Sequence, residues 1–512
     1  MSSPGEGSTA FTHQFGCSEQ RPCPPLPDFG YRMHTSSLPE AGEADSVGQW
    51  LIRGGVDGGR IWVGAVRRSA PGKRGAALHA AMVERPCCRV RRLAGSRAQE
   101  VRFWRFLRNP AVSSDEMVDR AATGTATRVA GYDIVVVQDT SEMALGGRRA
   151  RANGYGPVGK GGALGGLLLH AGLALEAGSG ALLGLVDARV WNRDQGAVSP
   201  RRSRATADKE SRRWLDTTAR AAQVLAAARS ITVVSDRESD IYEHFAYRPA
   251  NTHLIVRACQ NRKIRIASGE ADALLFGFID GLPEVGRFCT KIPAAPGRKA
   301  REAELAVRLA PVVLCKPQNG AGRGLPDTID LVAVDVREVS VPADGEPVRW
   351  RLLTTHPVTS LGDARRIVDL YRMRWTIEEF FRTLKSAGFD IEEADISEPR
   401  VMTNFMTAAA VAAVTIMQLV KARDGTTDRL LADAFEPADQ PVLEAVSARL
   451  EGKTVRQKNP HPTGSLAFAA WVIARLGGWT GYYGKPGPQV MRRGLHDFRR
   501  IRYGTILSLK DV

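Results

Sequence analysis

Cysteine is sparse and carries no pattern. Seven cysteines (Cys17, Cys23, Cys87, Cys88, Cys259, Cys289, Cys315) are scattered over 512 residues, with no C-x-x-C pair and no Cys/His cluster at ligand spacing. That argues against a disulfide framework and a zinc site, and reads as reduced thiols. Histidine offers no alternative ligand set, because His170, His253 and His356 stand apart and read as packing or surface residues. Long hydrophobic runs are few. No uninterrupted apolar stretch near the N-terminus would serve as a secretory signal. Residues 164–186, LGGLLLHAGLALEAGSGALLGLV, are broken by His170, Glu176 and several glycines, and predict two buried strands. The Ala-rich run 405–420, FMTAAAVAAVTIMQLV, is short for a span and predicts a buried helix, so no membrane segment is expected. There is no internal repeat. A nucleotide-binding loop is also missing. GYGPVGKGG (154–162) has Gly161 where a P-loop uses Ser or Thr, and no buried strand leads into it, so it reads as a turn before a core strand.

What the chain has in surplus is positive charge. With 71 Lys+Arg against 55 Asp+Glu, the formal charge is +16. Such an excess favours a polyanionic partner through counterion release, although a solvated basic surface would look the same. The hydrophobic share of 43% and charged share of 25% describe a soluble globular protein. Its length exceeds one ordinary core and implies several domains.

Residues 1–75, rich in Gly, Pro, Ser and Arg, read as a poorly ordered region, and 76–125 as a helical DNA-binding region. In the latter RAQEVRFWRFLRNP predicts an amphipathic helix stopped at Asn109-Pro110, and SSDEM an N-cap followed by acids. Strands and helices then mix. DIVVVQD (133–139), SITVVSD (230–236) and THLIVRA (252–258) predict buried strands, and 211–228 a helix. The pattern implies a three-layer α/β core over 126–264 and 348–400, interrupted by a β-rich insertion at 265–347. Residues 401–512 read as helical, with Ser465 as an N-cap and Gly477 as the C′ residue of one helix.

The stretch YRMRWTIEEFFRTLK (371–385) puts adjacent glutamates among cations and aromatics. On one helix Tyr371, Arg374, Glu378 and Lys385 fall within about 60° of one another, beside an apolar face of Ile377, Phe380, Phe381 and Leu384. Glu379 lies off that stripe. Arg374 and Glu378 alone would be an ordinary i,i+4 ion pair. Two further acids change the reading: Asp139 and Asp236 each end a hydrophobic run, where an open α/β sheet presents groups to a crevice. Either alone would read as a turn or cap. With Glu378 they form a candidate site for two Mg²⁺ ions, with Mn²⁺ as a substitute, suited to phosphodiester chemistry.

YRMRWTIEEFFRTLK fits the pattern Y-x2-R-x3-E-x6-K, and VVVQDTS and VVSDRESDIYE precede it in order. Together they resemble the insertion-sequence 4 family of bacterial cut-and-paste transposases, as does NPHPTGSLAFAAWVIARLGGWTGY (459–482), over roughly residues 80–510. The resemblance implies a ribonuclease-H-like mixed sheet with an inserted β domain and helical N- and C-terminal domains. It implies an Asp139, Asp236, Glu378 catalytic triad, and phosphate contacts by Tyr371, Arg374, Lys385 and Arg257. It also implies that Trp350 stacks on a flipped base, though Trp350 reads equally as a core aromatic on a strand. The implied partners are double-stranded DNA, both transposon ends and target, and a second copy joined through 401–512 in a DNA complex. A bacterial cytoplasmic, nucleoid-associated location goes with them. Residues 1–75 do not match the family's end-recognition domain, which keeps open an inactive DNA-binding or inhibitory derivative. A stand-alone nuclease would account for the acids but not for Trp350 or the C-terminal segment.

Overall fold

A computed structural model describes residues 70–145, 147–193, 210–266, 272–292, 300–318, 324–340, 347–386, 388–482 and 484–508. The region 1–75 therefore lies outside the described residues up to 69, and helix α1 (Ala70–Glu84) starts within its last positions. Helices α2 (Val90–Leu93), α3 (Arg97–Arg108) and α4 (Ser114–Ala126) follow. The Ser96 and Ser113 side chains cap α3 and α4 by accepting from Gln99 and Glu116 N–H groups.

The core elements are β1 (Asp133–Ala144), α5 (Gly147–Ala152), β2 (Gly156–Val158), β3 (Leu164–Glu176), β4 (Leu182–Trp191), α6 (Arg212–Val224), β5 (Ser230–Ser235), α7 (Tyr242–Ala246) and β6 (Thr252–Arg257). Beyond them come β7 (Lys263–Ile266), β8 (Asp272–Leu274), α8 (Leu275–Gly281), β9 (Gly286–Ile292), β10 (Arg301–Cys315), β11 (Thr328–Glu338) and β12 (Arg349–Thr354). The strands form one sheet in the order β2-β3-β1-β5-β6-β12-β11-β10-β7-β8, with β4 on β3 and β9 on β10. Only β1–β5 and β5–β6 are parallel among the described pairs. The β-rich insertion thus continues the core sheet through the antiparallel β12–β11 pair.

Both faces of the central strands are covered, which is why β1 reads as a continuous apolar run rather than an alternation. Ile134 and Val136 belong to one buried cluster, Val135 and Val137 to the other. The second of these clusters contains the apolar faces of α9 (Leu361–Arg372), α10 (Trp375–Lys385) and α11 (Pro399–Ala422). Helices α12 (Gln440–Leu450), α13 (Leu466–Leu476) and α14 (Pro488–Ser508) complete the C-terminal part.

Several expectations are corrected. β1 runs on to Ala144, so Asp139 sits inside a strand rather than at its end. Antiparallel pairing to β3 continues past Asp139, whereas parallel pairing to β5 stops at Val137. The helix expected over 371–385 is two helices. Between them Met373, Arg374, Thr376 and Ile377 all donate to carbonyls three residues back, tightening the turn and separating α9 from α10. α11 is longer than the apolar run suggested, and by length and composition alone it would cross a membrane. Yet 94% of its apolar window is buried inside the protein, as a core helix requires. Ser465 does cap α13, accepting from Phe468 N–H, but Gly477 is the C-cap with φ −72°, and Gly478 takes the left-handed turn at φ 90°. GYGPVGKGG contains the short strand β2, and its last residues form the turn from β2 into β3.

Candidate active site

The alternation of a strand decides which side chains meet. Asp139 shares the parity of Val135 and Val137, and so faces the layer holding α10. Asp236 follows Ser235 and shares the parity of Val234, which lies in the same cluster. α10 is seated there by Ile377, Phe380, Phe381 and Leu384, all buried, and this turns Glu378 toward both aspartates.

The three acids converge on one guanidinium. Arg374 Nη1 donates to Asp139 Oδ2 at 3.1 Å, and Nη2 donates to Glu378 Oε1 at 2.5 Å while lying 3.9 Å from Asp236 Oδ2. Arg374 is only 7% exposed. Burial works against its charge, but Tyr371, Asp236, Glu378 and Asp139 outweigh that and hold its pKa above the ordinary arginine value. Burial pushes the Asp139 carboxyl up to about 6, with Asp236 and Glu238 adding repulsion, while the Thr140 N–H and Arg374 pull the other way. Glu379 points elsewhere, to Lys421 at 3.5 Å.

The donors suit a hard divalent ion in kind: carboxylate oxygens from three elements, with Asp236 Oδ1 buried and lacking any hydrogen-bond partner. As they stand, no three His, Cys, Asp or Glu side chains among the described residues are close enough to hold one ion. The cation between these acids is Arg374 itself.

Behind the acids lies a buried polar network that sequence reasoning missed. Gln138 and Ser235, each one residue before an aspartate, point to the opposite face, and Gln138 Nε2 donates to Ser235 Oγ at 3.1 Å and Thr218 Oγ1 at 3.2 Å. Gln138 Oε1 is 3.2 Å from His170 Nε2, whose Nδ1 is 2.9 Å from Thr140 Oγ1. Arg213, also buried, donates to Thr140 Oγ1 at 2.7 Å and to Glu238 Oε2 at 2.7 Å. Thr218 pairs with His244 at 2.8 Å. The network ties β1, β3, β5, α6 and α7 together beneath the aspartates, so His170 is neither isolated nor a surface residue. The signal was a glutamine in an otherwise apolar strand, which has to find partners when buried. His253 and His356 are not isolated either; their rings stack at 4.0 Å.

Beside the acids opens a cleft of about 940 Å³. Its lining includes Arg237, Arg257, Trp350, Arg372, Arg374 and Trp375, with Lys291, Arg349 and Arg351 from the β-rich part of the sheet. Tyr371 is buried against Trp350, ring centroids 5.9 Å apart. Burial, then Asp236, raises the Tyr371 pKa, while Arg257 and Arg374 oppose the rise. Arg257 itself donates to the Arg349 carbonyl at 3.3 Å. Trp350 is half-buried on β12, so it packs on the core and also faces the cleft. Of the expected phosphate contacts, Arg374 and Arg257 line the cleft with Trp350, and Tyr371 is buried behind Trp350. Lys385 lies at the far end of α10, 3.5 Å from Glu392.

Acids from two adjacent strands and a helix, next to a cationic cleft with aromatic walls, form the kind of site that handles a phosphodiester. Residues 201–415 match the family model described as Transposase DDE domain. The matched segment contains Asp236 and Glu378, and Asp139 precedes it. The match supports reading this protein as a DDE transposase.

Proposed function

We propose that the protein is a cut-and-paste DNA transposase of the insertion-sequence 4 type, acting on double-stranded DNA at the ends of its own element. The observation that carries this reading is the convergence of Asp139, Asp236 and Glu378 at the edge of a cleft lined by arginines and tryptophans. Two Mg²⁺ ions, or Mn²⁺ in their place, would be held by these three carboxylates and would supply activation of the attacking oxygen and neutralisation of the leaving one. The residues around them bind and orient. Tyr371, Arg374, Lys385 and Arg257 hold phosphates, and Trp350 offers a flat face to an unstacked base. Water cuts one strand at the element's end, and the freed 3′-OH attacks the opposite strand to give a hairpin. Water opens the hairpin, and the 3′-OH then attacks target DNA.

Two copies would act together through the C-terminal helices, on DNA in the bacterial cytoplasm. The basic helices α1–α3 would contact the terminal sequence. The test is a labelled duplex carrying the gene's own flanking terminal sequence, incubated with the protein, Mg²⁺ and a target plasmid. Labelled strands joined to the plasmid are expected. A duplex that is bound but never cut would contradict the reading and favour an inhibitory, non-cutting derivative.

A further inference from the structure

Arg374 is a member of two groups at once. Its guanidinium reaches all three acids, at 3.1 Å from Asp139, 2.5 Å from Glu378 and 3.9 Å from Asp236, and it also lines the cationic cleft beside Arg257, Trp350 and Trp375. It sits at the junction of α9 and α10, on a tightened turn rather than in a helix interior. Three carboxylates thus surround one guanidinium, and Asp236 Oδ1 is buried with no hydrogen-bond partner in the protein. Two of its five N–H donors, one on each terminal nitrogen, are given to acids, so a phosphate in the cleft competes with those acids for the same guanidinium.

We propose that Arg374 is the resident cation of the acid centre in the DNA-free protein, so that a divalent ion and this guanidinium compete for Asp139, Asp236 and Glu378. The proposal rests on the metal-dependent reading above and adds a regulation to it. A DNA phosphate entering the cleft draws Arg374 away from the acids and opens them to the ion. Ion loading and DNA binding are then coupled, and whatever factor DNA gains for the ion, the ion gains for DNA. The free protein is thereby kept from loading the ion.

The test is Mn²⁺ binding to the full-length protein without DNA, followed by loss of the free-ion electron paramagnetic resonance signal. Wild type, Arg374→Gln and the Arg374→Gln/Glu378→Gln double variant are compared. Arg374→Gln is expected to half-saturate at Mn²⁺ concentrations at least tenfold below wild type, and the double variant to lose that gain. Equal affinities in wild type and Arg374→Gln would overturn the proposal alone. Absence of Mn²⁺ binding by folded Arg374→Gln would overturn it together with the metal reading. Circular dichroism with and without Mn²⁺ reports folding. If Arg374→Gln folds only with the ion, the competition is supported. If it does not fold at all, Arg374→Lys, which keeps the charge and loses the fork, is titrated instead. It is expected to bind Mn²⁺ more tightly than wild type, and an unchanged affinity overturns the proposal.

Discussion

At the scale of single residues, one-position shifts separate function from support. Glu378 meets Arg374 and the aspartates; its neighbour Glu379 pairs with Lys421 on α11. Gln138 and Ser235 precede the two aspartates and face the other way, into the polar network. Removing Arg374 would leave three acids facing one another. Without divalent ions, Arg374→Ala is expected to lower the chemical-unfolding midpoint, by less than the ~3–5 kcal/mol of a fully buried pair because the acids stay partly exposed, and an unchanged midpoint would contradict the ion cluster. Within the network His244 is fully buried, and burial lowers its pKa to about 4, against a weaker opposing effect of the Ser239 carbonyl. The native state thus takes up this proton later than the unfolded chain does. Its contribution to stability is present above about pH 6.5 and is lost as pH falls from there toward 4, at most ~3 kcal/mol for one site. A thermal midpoint falling over that window, with a shallower slope in His244→Gln, is expected. Identical slopes would rule out His244 as the source.

At the scale of elements, the sequence was legible where burial is simple. The apolar runs at 230–236 and 252–258 became β5 and β6, and capping serines marked the starts of α4 and α13. It was illegible where partners decide. β1 extends past Asp139 because β3 keeps pairing with it, and nothing in TSEMA announces that. The break between α9 and α10 was hidden because Met373 and Arg374 keep helical dihedral angles while their hydrogen bonds shorten by one residue. The placement of α9 depends on a capping box at Ser360, whose Oγ accepts from Asp363 N–H at 3.1 Å while the Asp363 carboxylate accepts from Ser360 N–H at 3.0 Å. Ser360→Ala is expected to lower stability by about 1 kcal/mol. If the whole hinge depended on this cap, a far larger loss in the unfolding midpoint would appear instead.

At the scale of the whole molecule, a charge of +16 becomes informative once its distribution is known. Arg237, Arg257, Lys291, Arg349, Arg351 and Arg372 gather in the cleft next to the acids, so cations and carboxylates occupy neighbouring compartments of one site. If Arg257 holds a phosphate, Arg257→Ala should weaken binding to duplexes of any sequence and reduce the slope of log affinity against log salt by about 1. An unchanged slope would remove Arg257 from the interface. The sequence showed the excess of charge but not the cleft, because its arginines come from β6, β12, the turn after β5 and the α9–α10 junction, which only the sheet order brings together. If Asp139, Asp236 and Glu378 together form the centre that cuts DNA, losing one of them abolishes cutting. The direct measurement is cleavage, in Mg²⁺, of a plasmid bearing the gene's flanking ends by wild type, Glu378→Ala and Glu379→Ala. The account predicts excised product from wild type and Glu379→Ala, and a loss on the order of 10³-fold or more for Glu378→Ala. Undiminished cutting by Glu378→Ala would contradict it.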